Sequence, residues 1–108
     1  MARPRKRRII PQKPKPAIYK PAGMPLDRLS RVTLLQEERE ALRLADLEGL
    51  TQVKAAERMG VSRSTFQRMV SQARRQVALA LTEGHALQIE GGTFVVAPPR
   101  PHGPRRRG

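Results

Sequence analysis

Apolar residues in the middle of the chain recur at steps of three and four, in three runs separated by glycine. The first run, about Leu35 to Glu48, places Leu42 with Ala45 and Leu44 with Leu47 on one stripe, the spacing of an amphipathic helix. Thr33 and Gln36 have capping-box spacing at its start, although Leu35, whose side chain cannot cap, is an alternative boundary. Glu37, Glu38 and Glu40 fall in the opening turns, where the helix dipole favours negative charge, and read as a solvated face. Gly49 is the stop. A second, two-turn helix is expected from Gln52 to Met59, capped by Thr51 and ended by Gly60. Ser62 caps a third and longest helix reaching about Thr82, with Gly84 as its stop. Phe66, Met69, Val70, Ala73, Val77, Ala80 and Leu81 lie on its apolar side.

The flanks are weaker in pattern. Pro25 can occupy the first position of a short helix that brings Leu26, Leu29 and Val32 together. Arg3 to Pro16 is rich in Pro, Lys and Arg and reads as an extended arm, with a few residues of strand at Arg8-Ile9-Ile10. Leu87 to Ile89 and Thr93 to Val96, around Gly91-Gly92, have the weak alternation of a short hairpin. The expected fold class is therefore all-α: a small helical bundle, sigma-70 region 4-like or winged-helix-like. A basic arm (1–20) precedes the domain (21–92), and a disordered basic tail (93–108) follows it.

The second and third helices meet the steric demands of a helix-turn-helix, spanning about residues 51–82. Where the two helices cross, the first must carry a small residue, and Ala56 stands there. The turn needs a residue tolerant of positive φ, supplied by Gly60. Val61 then tucks inward, and Phe66 and Met69 close over Ala56 and Met59. What remains outward near the start of the third helix is Arg63, Ser64, Gln67 and Arg68. A recognition helix presents its N-terminal residues to base edges. Arg pairs bidentately with guanine and Gln with adenine. These four are the expected base readers. Thr51, Gln52, Ser62, Thr65, Ser71, Arg74 and Arg75, with Arg5, Lys6, Arg7 and Arg8 of the arm, are the expected phosphate contacts.

Charge sharpens this picture. The net charge is +13, and the first twenty residues hold eight Lys/Arg and no acid, while Arg100 to Gly108 holds four arginines and no acid. The middle is left at +1. Polycationic ends around a nearly neutral domain suit a polyanion. The chain has no cysteine, so neither a disulfide framework nor a thiolate metal site is available. His85 and His102 stand apart without companion ligands, and no metal or cofactor is expected. Thr51, Ser62 and Ser64 lack a base to activate them, so the chain is not expected to be an enzyme. Only Tyr19, Phe66 and Phe94 are aromatic, and Phe66 is claimed by the core, which disfavours a base-stacking platform for single strands. No run approaches membrane-spanning length, so no membrane is expected among the partners, and a cytoplasmic, nucleoid-associated location follows.

The run EALRLADLEGLTQVKAAERMGVSRSTFQRMV through IEGG, with YKPAGMPLDRL before it, resembles a small prokaryotic family of predicted DNA-binding proteins. It is the domain of unknown function one-three-four, an uncharacterised family whose helix-turn-helix is similar to region 4 of sigma-70 factors. The resemblance spans roughly Arg3 to Gly92. It implies a recognition helix from Ser62 onward, with Arg63, Thr65 and Phe66 in the family's S-R-x-T-F pattern. Family members often carry cysteine in the basic N-terminal region where Lys6-Arg7-Arg8 stands here, so a thiol or metal role has no ligands in this chain.

The function expected is sequence-specific binding of double-stranded DNA, in transcriptional regulation. Two rivals stand beside it: a sigma-like adaptor that binds RNA polymerase through the acidic first helix, and non-specific nucleic-acid binding by the basic ends. A homodimer is a further expectation, because Val77, Ala80 and Leu81 continue the apolar stripe past the motif. The alternative is that they cover the Leu26/Leu29 helix of their own chain.

Overall fold

The computed structural model describes residues 8–11, 15–92 and 94–96. Five short strands join the helices, so the all-α expectation is overturned: the fold is mixed. The strands are β1 (Arg8–Ile10), β2 (Ala17–Tyr19), β3 (Arg31–Leu34), β4 (Ala86–Ile89) and β5 (Phe94–Val96). The helices are α1 (Gln36–Leu42), continued as a π-helical turn over Arg43–Leu47, then α2 (Gln52–Met59) and α3 (Arg63–Glu83).

One sheet has the order β2-β4-β3, with β4 antiparallel to β2 and parallel to β3. All three helices lie in the connection from β3 to its parallel neighbour β4. The other sheet is a parallel pair, β1 with β5, in which Arg8, Ile9 and Ile10 face Phe94, Val95 and Val96. The expected hairpin is thus corrected. Both of its strands form, but each finds a partner far away in sequence, and Gly91-Gly92 is a connector between sheets. Strands of three or four residues give too few alternations to show a period of two, so tertiary pairing decides them.

The expected helix through Leu26, Leu29 and Val32 is also replaced. A single 3-10 turn spans Leu26–Arg28, and Val32 belongs to β3, whose residues alternate exposed and buried. Val32 and Leu34 face inward two apart, as a half-buried strand requires. Thr33 therefore does not cap α1; its carbonyl accepts from Gln76 Nε2 at 3.2 Å. Leu35 is the N-cap, and its backbone N–H donates to Glu38 Oε1 at 2.9 Å. The sheet also changes what the first turn of α1 faces. Glu37, Glu38 and Glu40 are buried, correcting the solvated face expected of them. Glu40 receives two bonds from Arg43, at 2.9 and 2.8 Å. Leu44 is buried as the stripe requires, but Leu47 is 77% exposed, because the π-helical turn shifts the register that an α-helix would carry to it.

The core has two adjoining parts. Ala41 and Leu44, then Ala55, Ala56 and Met59, meet Phe66, Met69 and Val70 where α1, α2 and α3 pack. Further along α3, Ala73 packs on Leu34 and Ile89 of the sheet, with Val77 and Leu87 beside them. α3 is thus shared: its first half closes the helical cluster and its second half covers the sheet. Val77 packs on that sheet, and Leu81 is 80% exposed.

Candidate nucleic-acid interface

The exposed start of α3 is held from both sides of its turn. Thr51 caps α2, its side chain accepting from the Lys54 N–H at 3.2 Å. Gly60 ends α2 at φ 67°, ψ 33°, a left-handed conformation that glycine adopts without strain. The Val61 N–H returns to the Ala56 carbonyl at 3.0 Å. Ser62 then caps α3, accepting from the Thr65 N–H at 3.1 Å. Beneath the turn, Ala56 is buried, Val61 packs against the cluster, and Phe66 is 0% exposed. β1 closes the back: Ile9 Cδ1 would stand 3.1 Å from a Cβ on Gly60. The turn is therefore clamped between the core and a strand.

With Phe66 inside, its flanks must face out. Arg63, Ser64, Gln67 and Arg68 are all exposed. The first turn of α3 carries no acid, so the positive end of a 21-residue helix dipole lies beside Arg63 without a fixed counter-charge on that turn. Three of the four expected base readers, Arg63, Ser64 and Gln67, share one shallow recess with Gln52 of α2. Arg63 Nε donates to Gln52 Oε1 at 3.4 Å, Gln52 Nε2 donates to Gln67 Oε1, and Gln67 Nε2 donates to Ser71 Oγ at 3.4 Å. Arg68 stands on another flank. It donates to Thr65 Oγ1 at 3.4 Å and lines a polar cleft of about 560 Å³ with Arg8, Glu37 and Gln72.

The expected phosphate contacts divide. Thr51, Ser62, Ser71, Arg74 and Arg75 are exposed, and Gln52 and Thr65 half-buried. Arg74 is turned to Asp46 on the π-helical turn, donating through Nε at 3.0 Å and Nη2 at 2.7 Å. That guanidinium holds the Asp46 carboxyl below its ordinary range. No local pattern signals a pair 28 residues apart; only the packing of α1 on α3 creates it. Arg8 lies in β1 and is buried, so it does not present its charge on the outer surface. Arg5, Lys6 and Arg7 lie outside the described residues, as do most of the tail and His102.

Among the described residues, no group of three or more metal-ligating side chains is brought together. Among them, too, no helix is long and apolar enough to cross a membrane.

Comparison with known proteins adds a family. Residues 1–97 match the model of a family described as protein of unknown function DUF134. The chain belongs to that family. A UPF0251 protein of Dehalococcoides mccartyi is 57% identical over 94 residues, covering 87% of this chain and 80% of the relative. One from Halothermothrix orenii is 50% identical over 97 residues, covering 90% of this chain and 72% of its own length. No solved structure matches. The matched span runs through both sheets as well as the helices, so the family unit includes β1 and β5.

Proposed function

We propose that this family member binds double-stranded DNA sequence-specifically, with α2, the Gly60 turn and α3 acting as a helix-turn-helix, and that it serves transcriptional regulation by binding and not by catalysis. One observation carries the reading: Phe66 is wholly buried while Arg63, Ser64, Gln67 and Arg68 around it are exposed at the start of an acid-free helix end. A helix N-terminus so equipped enters a major groove with its donors facing base edges. Basic residues outside the helices add phosphate neutralisation, which makes affinity fall with salt by a log–log slope of about −0.9 per phosphate contacted.

Selection from a random duplex pool tests the proposal. A defined motif is expected, and Arg63→Ala is expected to cost roughly 1–3 kcal/mol on that motif while leaving random DNA nearly unaffected. Equal loss on both, or no motif, refutes base reading and leaves non-specific binding by the basic ends.

The polymerase-adaptor reading is less well supported, because the acids it needs are occupied. Glu37, Glu38 and Glu40 are buried, Glu48 is paired with Arg43, and Asp46 with Arg74. For the homodimer, the support is an apolar groove of about 560 Å³ between β2 and the end of α3, where Tyr19, Pro21 and Leu87 face Leu81. Two copies joined there would offer paired recognition helices, and a sharp monomer mass by light scattering at micromolar concentration removes that arrangement.

A further inference from the structure

Resting on that reading, we propose that Gln52 is a positioning residue that decides which way round the Gln67 amide meets the duplex, and that Arg63 sets this choice through it. The target is then a duplex in which a guanine and an adenine lie within about two base pairs of each other.

The argument starts from the donor inventory. A guanidinium only donates, whereas a carboxamide has a donor end and an acceptor end. Arg63 Nε donates to Gln52, so Gln52 must turn its Oε1 to Arg63. Its Nε2 is thereby directed at Gln67, which must answer with Oε1. The remaining end of Gln67, Nε2, then points to Ser71 Oγ. Reversing either amide would set donor against donor or acceptor against acceptor. One fixed cation thus imposes a direction on three side chains in a row.

Recognition of adenine depends on that direction, since N7 accepts and N6 donates. Gln67 keeps one N–H on Nε2 and one lone pair on Oε1 for the two groups, presented in a single order. Arg63, with Nε committed to Gln52, offers its Nη1 and Nη2 ends to guanine O6 and N7. Residues four apart on a helix are separated by about 6 Å along its axis. Base pairs stack about 3.4 Å apart, which places the two contacts within about two steps. Gln52, expected as a phosphate contact, sits on the neighbouring helix in the same recess as Arg63, Ser64 and Gln67.

The experiment is selection from a randomised duplex pool with the full chain and three variants, Gln52→Leu, Gln52→Glu and Arg63→Ala, each first shown to melt at the wild-type temperature. For the wild type, guanine and adenine are expected within two positions. Gln52→Leu is expected to keep the guanine and lose about tenfold of the adenine preference. Gln52→Glu can only accept, so Gln67 must present Nε2 to it and the adenine preference is again lost. Arg63→Ala is expected to relax both positions, though it deletes only one contact. Retention of the adenine preference in both Gln52 variants overturns the inference. So does a Gln52→Leu variant that binds every sequence more weakly with an unchanged motif, the mark of a phosphate contact. A wild type that selects no motif refutes instead the DNA-reading proposal beneath it.

Discussion

Gly92 closes the IEGG run, and Gly92→Ala should destabilise the fold far more than the same change one residue earlier. Gly91 and Gly92 both have positive φ, 73° and 107°, so an L side chain at either costs about 1–2 kcal/mol. Around Gly91 nothing lies within 4 Å of an added Cβ. At Gly92 the added carbon would overlap Glu37 Oε1 and stand 2.9 Å from Cδ and 3.3 Å from Oε2. Glu37 is only 2% exposed, so its carboxylate can clear the carbon only by shifting along the polar cleft it lines, and overpacking of this kind costs about 1–3 kcal/mol more. The sum is roughly 2–5 kcal/mol for Gly92→Ala against about 1–2 kcal/mol for Gly91→Ala. Both glycines lie where the sheet is tied to α1: the Gln36 N–H donates to the Gly91 carbonyl at 3.2 Å and the Glu90 N–H to the Leu34 carbonyl at 3.1 Å. Urea unfolding followed by far-ultraviolet circular dichroism measures both variants, with Glu37→Ala as a second background. In that background the Gly92→Ala penalty should shrink to the backbone share alone. Equal penalties at the two glycines, or a Gly92→Ala penalty unchanged by Glu37→Ala, would refute the contact.

Two further outcomes follow from the same packing. Phe66→Ala removes a fully buried ring from the joint of α1, α2 and α3 and should cost about 3–5 kcal/mol in urea unfolding, whereas Gln67→Ala on the exposed face should stay within about 0.5 kcal/mol. Asp46→Asn should release Arg74, raising affinity for any duplex and steepening the salt slope by about 0.9 if that arginine then meets a phosphate. The Asp46–Arg74 pair is exposed, so its own contribution to stability is below about 1 kcal/mol. Because the folded carboxyl titrates below the ordinary 3.8, that contribution is present above pH 3.8 and disappears as pH falls through the lowered value; acid titration of Asp46→Asn should lack this step.

What could be read from the residues alone was local. Thr51 and Ser62 cap the helices that follow them, and Gly60 and Gly84 end helices in the left-handed conformation. These assignments depend on the chemistry of one residue and its neighbours within a turn, and that chemistry travels with the sequence. The alternation of Phe66 against Gln67 and Arg68 was legible for the same reason, because a helix long enough to repeat its period several times shows which side is apolar.

How the strands pair was not legible, nor were β2 and β3 themselves, nor the fate of the charges; Arg8 to Ile10, Leu87 to Ile89 and Thr93 to Val96 were expected as strands, but not with these partners. Val32 lies at helical spacing from Leu29, yet it becomes a strand residue because β4, some fifty positions away, offers it a ladder. Phe94 to Val96 joins β1 across almost the whole described chain. Glu37 is buried with the connector between β4 and β5 lying against it at Gly92, and Arg74 turns to Asp46 because α1 lies against α3. The sequence by itself determined where α2 and α3 begin and end and which side of α3 holds Phe66, since hydrogen-bond capping and periodicity act within a few residues. The tertiary structure decided how the short strands pair and which charges stay exposed, since pairing and burial depend on groups that only folding brings within a few ångströms.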